Sequence, residues 1–169
     1  MNMWRGSSLL MAALLLLLVA GAARAVRPGE AAPVIEAPMA DGTVLSLSLL
    51  RGQVVYVDFW ASWCTPCRQA LPALDRLFGQ YRDQGFSVLA VNVDRERTAA
   101  LRMLQRLPVR YPVVFDPDGH WPQRYALQGM PSGYLIDRDG QVILVKTGYR
   151  AKDLPQLERA IQHALEETR

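Results

Sequence analysis

Cysteine is scarce in this chain: 169 residues hold only two, Cys64 and Cys67. That excludes a small domain stapled by several disulfides. Histidine is equally sparse, with His120 and His163 alone. A tetrahedral zinc site wants four ligands, so one built from Cys and His would need every such residue in the chain. Neither sign of charge dominates, since 19 Lys plus Arg face 16 Asp plus Glu for a formal net charge of +3. A surplus that small does not imply a nucleic-acid surface. No apolar run reaches the ~20 residues that span a bilayer. What is present is ordinary: half the residues are apolar, which excludes a disordered or collagen-like chain. The length suits one domain with enough chain to bury a core.

The first residues read as an address label. Met1 to Ser8 is short and polar and carries one positive charge, Arg5; Leu9 to Ala20 is unbroken apolar; Ala23-Arg24-Ala25 spaces small residues as A-x-A. These are the three parts of a secretory signal peptide, predicting cleavage after Ala25. The alternative is an uncleaved membrane anchor, against which the shortness of the run argues. No cysteine directly follows the run, so anchoring through a lipidated cysteine is not expected. Residues 1–25 are therefore assigned to the signal peptide and 26–169 to one domain. Cleavage would remove Arg5 and Arg24 and leave a nearly neutral protein, in a compartment where disulfides form and persist.

Val26 to Ala40 reads as an extended lead-in, and Asp41-Gly42 as the turn of a small hairpin. Gln53 to Trp60 is β-branched and aromatic, a buried strand. A helix is predicted over 65–84, with Leu71, Leu74, Leu77, Phe78 and Tyr81 on one stripe, ended by Gly85. Phe86 to Val93 is a continuous apolar strand, as in a parallel sheet covered on both faces. Thr98 is placed to cap a second helix running to Leu107, which Pro108 ends. Short strands follow at 113–115, 133–136 and 141–147, the last two joined by the turn Asp137-Arg138-Asp139-Gly140. A final helix is predicted over 153–167. This order argues an α/β domain with a mixed sheet between helices.

Asp58-Phe59-Trp60-Ala61-Ser62-Trp63-Cys64-Thr65-Pro66-Cys67 lies where a buried strand hands over to a helix. Cys64 would sit at the helix N-terminus, where unpaired amides and the positive dipole end favour a thiolate. Cys67 would lie one turn further in. Pro66 suits the first turn, where its missing N–H has no partner to lose. The spacing lets the sulfurs close a small, easily opened ring, so Cys64 can exchange with a partner while Cys67 resolves the mixed disulfide. A zinc half-site and a static disulfide also use this spacing. The first lacks ligands, and the second restricts the unfolded chain little across so short a loop. Asp58, an acid within an apolar strand, is expected to have a raised pKa if it faces inward. Its neighbours Val57 and Phe59 leave its facing open.

Trp-Cys-x-Pro-Cys after Asp-Phe-Trp-Ala, with Gly129-Met130-Pro131 downstream, resembles the thioredoxin superfamily. The leader, the N-terminal hairpin and the extra helix and strand between Asp94 and Phe115 are most similar to exported TlpA/ResA-type thiol-disulfide oxidoreductases. The resemblance runs from about Ala32 to the C-terminus. It implies a thioredoxin fold with an N-terminal β-hairpin and a βα-type insertion before the cis-proline loop. It implies further that Pro131 is the cis-proline and that Met130 beside it docks a cysteine-bearing partner. Pro72 matches a kink proline of the active-site helix. Asp58 matches the carboxylate that relays the proton of the second cysteine. Trp60, Trp63 and Tyr134 are candidates for an apolar apron around Cys64, with Trp63 the docking residue and Trp60 expected in the core.

Three positions depart from the resemblance. Many ResA-type reductases carry a glutamate where this chain has Ala70. Thioredoxins often place a lysine where it has Ala90, and the family generally has Thr or a larger residue where it has Gly133. Without the lysine, Asp58 should be pushed higher still. The resemblance implies a periplasmic reductant of protein disulfides, needing no cofactor or metal. Its partners would be protein thiols, such as apocytochrome c, and a membrane thiol electron carrier, with no nucleic acid involved. An oxidant that donates its disulfide, and a metal-handling module using the thiols as ligands, remain as alternatives.

Overall fold

Strand β3 (Val54–Trp60) is buried along its whole length, because both of its faces are covered. Continuous burial is what a β-branched and aromatic run dictates when helices or loops pack on each side. The computed structural model describes residues 24–167, so most of the signal-peptide assignment lies outside the described residues. Around β3 the five-stranded sheet runs in the order β5-β4-β3-β6-β7, with β4 (Phe86–Asn92), β5 (Val113–Phe115), β6 (Ser132–Ile136) and β7 (Val142–Thr147). β3, β4 and β5 are parallel; β6 runs antiparallel to β3, and β7 antiparallel to β6. The sheet is mixed, with β6 and β7 forming the hairpin expected around Asp137 to Gly140.

The two faces of β3 feed two separate cores. Val54, Tyr56 and Trp60 pack with α1 (Thr65–Tyr81), with Ala100 of α2 (Arg97–Arg106) and with Leu157 and Ile161 of α4 (Leu154–Glu166). Val55, Val57 and Phe59 pack on the opposite side with Ile35 and Ala37 and with Trp121 and Tyr125 of α3 (His120–Tyr125). There Phe59, Tyr125 and Tyr134 meet edge to face, at centroid distances of 5.0, 6.1 and 4.8 Å. The hairpin of β1 (Glu36–Pro38) and β2 (Val44–Ser46) lies apart from the main sheet, its turn closed by Thr43 donating to Asp41. Tyr125 donates to the carbonyl of Pro33 at 2.8 Å and ties the lead-in to α3.

Four expectations are corrected. The helix after the cysteines ends at Tyr81 and passes into a 3-10 turn over Arg82–Gln84, because Gly85 at φ 93° reverses the chain. Thr98 does not cap α2. The helix starts at Arg97 with Glu96 at the cap and no side-chain bond there, so Thr98 lies inside the first turn. α3 has no counterpart among the predicted elements; six residues with a proline among them are too short for a periodicity to show. Asp116 satisfies its first amides instead, accepting from the N–H groups of His120 and Trp121 at 3.1 and 2.8 Å. Tyr134 is no part of an apron around Cys64, because it faces the opposite core with Phe59.

Phe59→Ala should cost about 3–5 kcal/mol in urea unfolding, the range for opening a large aromatic cavity. A loss below about 1 kcal/mol would mean that the aromatic cluster does not anchor that core.

Candidate active site

At the C-terminal end of β3 the chain turns through Ala61 to Trp63 into α1, with Cys64 as the N-cap residue. Cys64 and Cys67 form a disulfide. The N–H of Cys67 donates to Sγ of Cys64 at 3.3 Å, so the cap position supplies an amide donor to that sulfur. The pair is graded in exposure: Cys64 is 5% exposed and Cys67 is fully buried. Trp63 projects outward, 67% exposed, while Trp60 is enclosed in the core as expected.

A residue without a sequence signature holds this turn in place. Asp94, just past β4, is buried and accepts from the backbone N–H of Ser62 at 2.8 Å and from its hydroxyl at 2.9 Å. Asn92 donates to the same carboxylate at 2.8 Å and accepts from the backbone N–H of Asp94. The network fastens the segment before Cys64 to the end of the neighbouring strand. Such a role is visible only once β3 and β4 are paired, because 32 residues separate the partners.

Asp58 faces inward, on the side of β3 that packs against α1. It alternates with Tyr56 and Trp60, which share a core with Cys67. It is 2% exposed, and Oδ2 has no hydrogen-bond partner. Its strand neighbours are Ala90 on β4 and Gly133 on β6, neither of which offers a polar side chain. Ala70, one turn beyond Cys67, lines the same cavity as Asp58, together with Pro131. Ala70, Ala90 and Gly133, the three departures noted in the sequence, therefore all border this one carboxyl. Burial raises its pKa to about 8. The shared cavity has a volume of about 30 Å³, enough for a water, with Lys146 and Arg150 also in its wall.

Tyr56 supplies the physical reason for Gly133. A Cβ at position 133 would run into the Tyr56 hydroxyl and ring. The phenol occupies room that a side chain on β6 would otherwise fill. Burial, and then the neighbouring Asp58 carboxyl, push the Tyr56 phenol pKa up, so it remains a neutral group. The Met130–Pro131 peptide bond is cis. The carbonyl of Pro131 accepts from the N–H of Gly148 at 2.7 Å, and the hydroxyl of Ser132 donates to the carbonyl of Gly129 at 2.7 Å. Met130 itself is half-buried and packs against both cores.

A disulfide at the start of the helix that follows a central strand, a cis-proline loop on the adjacent strand and a mixed sheet between helices define a thioredoxin-fold thiol-disulfide oxidoreductase. The chain belongs to the Redoxin family, which matches residues 27–161. It is 31% identical over 123 residues to the thiol-disulfide oxidoreductase ResA of Bacillus subtilis, covering 73% of this chain and 69% of that one. ResA of Geobacillus kaustophilus is 31% identical over 138 residues, 82% of this chain and 78% of the relative. Among solved structures it is similar to a protein from Chlorobium tepidum described as a thiol:disulfide interchange protein DsbE. That likeness has a TM-score of 0.81 and 42% identity, over 83% of this chain and 99% of the other. The chain is thus an oxidoreductase of the ResA/TlpA-like group, acting on protein thiols through its Cys64–Cys67 pair.

Two outcomes check this geometry. Gly133→Thr should destabilise the protein by about 1–3 kcal/mol through overpacking. Adding Tyr56→Val should recover most of that loss, and purely additive effects in the double-mutant cycle would contradict the Tyr56–Gly133 contact. The second concerns pH. The carboxyl of Asp58 sits at about 8 in the folded protein against about 3.9 in an unfolded chain, so the folded state holds the extra proton between those values. Its contribution to stability is complete below pH ~4 and lost as pH rises towards ~8, by up to about 1.4 kcal/mol per unit. Unfolding measured from pH 5 to 8 should fall less steeply in Asp58→Asn than in the wild type; parallel curves would refute the shift.

Proposed function

We propose that the protein is an exported reductant of protein disulfides, in which Cys64 attacks and Cys67 resolves. The observation that carries the reading is the placement of the pair: Cys64 caps α1 beside the exposed Trp63, and Cys67 is fully buried one turn further in. In the dithiol form the Cys64 thiolate, favoured by the helix N-terminus, attacks one sulfur of the substrate disulfide. One substrate thiolate leaves, and a mixed disulfide with Cys64 remains. Cys67 then passes its proton to the Asp58 carboxylate and attacks Sγ of Cys64. The second substrate thiolate departs and takes up a proton, and the pair is left as a disulfide. Two electrons have moved from the protein to the substrate.

Trp63 offers an apolar surface beside Cys64, and the backbone at Met130 and Pro131 positions the substrate chain. A thiol electron carrier in the membrane returns the protein to its dithiol form, and apocytochrome c thiols are the substrate class that the resemblance favours. Residues 1–25 act as a secretory leader that delivers 26–169 to the periplasm. Among the described residues, no helix is long and apolar enough to cross a membrane.

Cys64→Ser should abolish reduction of insulin disulfides, and Cys67→Ser should accumulate mixed disulfides detectable by mass spectrometry. The reverse pattern would exchange the two roles. Asp58→Asn should slow resolution by at least about tenfold near neutral pH, on the scale of general acid–base effects. The wild-type rate should rise with pH through about 8 as the carboxyl becomes a base. A pH–rate profile unaltered by the substitution would remove the relay.

A further inference from the structure

A second concavity opens beside the cysteine segment and shares no lining residue with the Asp58 cavity. It is a groove of about 460 Å³ between the start of α1 and the flank of α2. Ser62 and Arg68 contribute from the active-site segment, Arg102, Met103 and Arg106 from α2, and Leu107 from its C-cap. Arg102 and Arg106 stand four residues apart and therefore on one helical stripe.

The charges here run against local preference. Like charges four apart destabilise a helix by a few tenths of a kcal/mol. Arg68 sits in the first turns of α1, at the end whose dipole repels cations. Arg106 alone is explained by its helix, since it lies in the last turn of α2. Among the described residues no carboxylate pairs with Arg68, Arg102 or Arg106, and Arg68 reaches only the Thr65 hydroxyl, at 3.1 Å. Asp94, which grips Ser62 in this wall, is buried and accepts from Ser62 and Asn92, and Asp75, two turns further along α1, is held by Arg110 at 2.9 Å. A chain with little net charge thus gathers three exposed, unpaired guanidinium groups next to its disulfide.

We propose that this groove binds an acidic segment of the substrate polypeptide, next to the cysteine that Cys64 attacks. Guanidinium groups take carboxylates in forked, directional pairs. Met103 and Leu107 provide apolar wall for the methylenes of Glu or Asp side chains. The site would act mainly through encounter and selection among substrates, as complementary charge does at interfaces. The inference rests on the thiol-disulfide reading above and narrows its substrate class.

The test uses three disulfide-linked peptides that differ only beside the cysteine, where they carry paired Glu, paired Gln or paired Lys. The dithiol form of the full protein is mixed with each, and kcat/KM is measured. The Glu peptide should be preferred over the Lys peptide by about tenfold at low ionic strength. The ratio should shrink towards unity at about 0.5 M salt, where screening is short-ranged. R102E/R106E should invert the preference, and R102K/R106K should keep it. Equal rates for the three peptides with the wild-type protein would overturn the acidic-segment proposal while leaving the redox reading intact. So would a preference that survives R102E/R106E. Failure of the wild type to reduce any of the three would overturn the redox reading and this proposal with it.

Discussion

One constraint organises this molecule: a carboxyl is set into a strand that is buried on both faces. Asp58 has small, apolar strand neighbours and an oxygen with no partner. An unpaired charge in such surroundings is costly, and the group avoids the cost by remaining protonated. That is the source of the value near 8, and of a proton that can be exchanged close to physiological pH. The small residues around it follow the same logic. A lysine at 90 would pair with the carboxylate and pull the pKa down, whereas Ala70 and Ala90 leave the carboxyl to burial alone.

The cysteines complete the arrangement from the other side. α1 begins at Cys64, whose sulfur receives an amide, and carries Cys67 inward to the core that Asp58 also faces. The turn before Cys64 is fixed by Asp94, which grips Ser62 from the end of β4. The cis Met130–Pro131 bond places its loop at the edge of the same cavity. The disulfide at the start of α1 and the buried carboxyl of β3 thus border one core. Outside that core, the arginines of α1 and α2 form a charged surface of opposite character to the apolar Trp63.

Much of this was legible beforehand, for identifiable reasons. Continuous apolar runs fixed β3 and β4, the leucine stripe fixed α1, and the Asp-Gly turn at 139–140 announced the β6–β7 hairpin. Cys64 and Cys67 were conspicuous because the chain has no other thiol. What stayed hidden depends on contacts between distant segments. The facing of Asp58 could not be read from a strand with no polar alternation. Asp94 is distinguished only by its proximity to Ser62, and the reason for Gly133 is the phenol of Tyr56, far away along the chain. Thr98 misled because it is a good capping residue one position inside the helix it was expected to start. The arginine groove likewise exists only after α2 is laid beside α1.

The central claim is that Asp58 is a buried acid, protonated near neutral pH beneath the disulfide. It is tested most directly by the carboxyl carbon resonance of Asp58 in the oxidised protein, followed by NMR from pH 4 to 10 and assigned with Asp58→Asn. The account predicts a single titration with its midpoint near 8. A midpoint near the ordinary aspartate value of about 4 would contradict it.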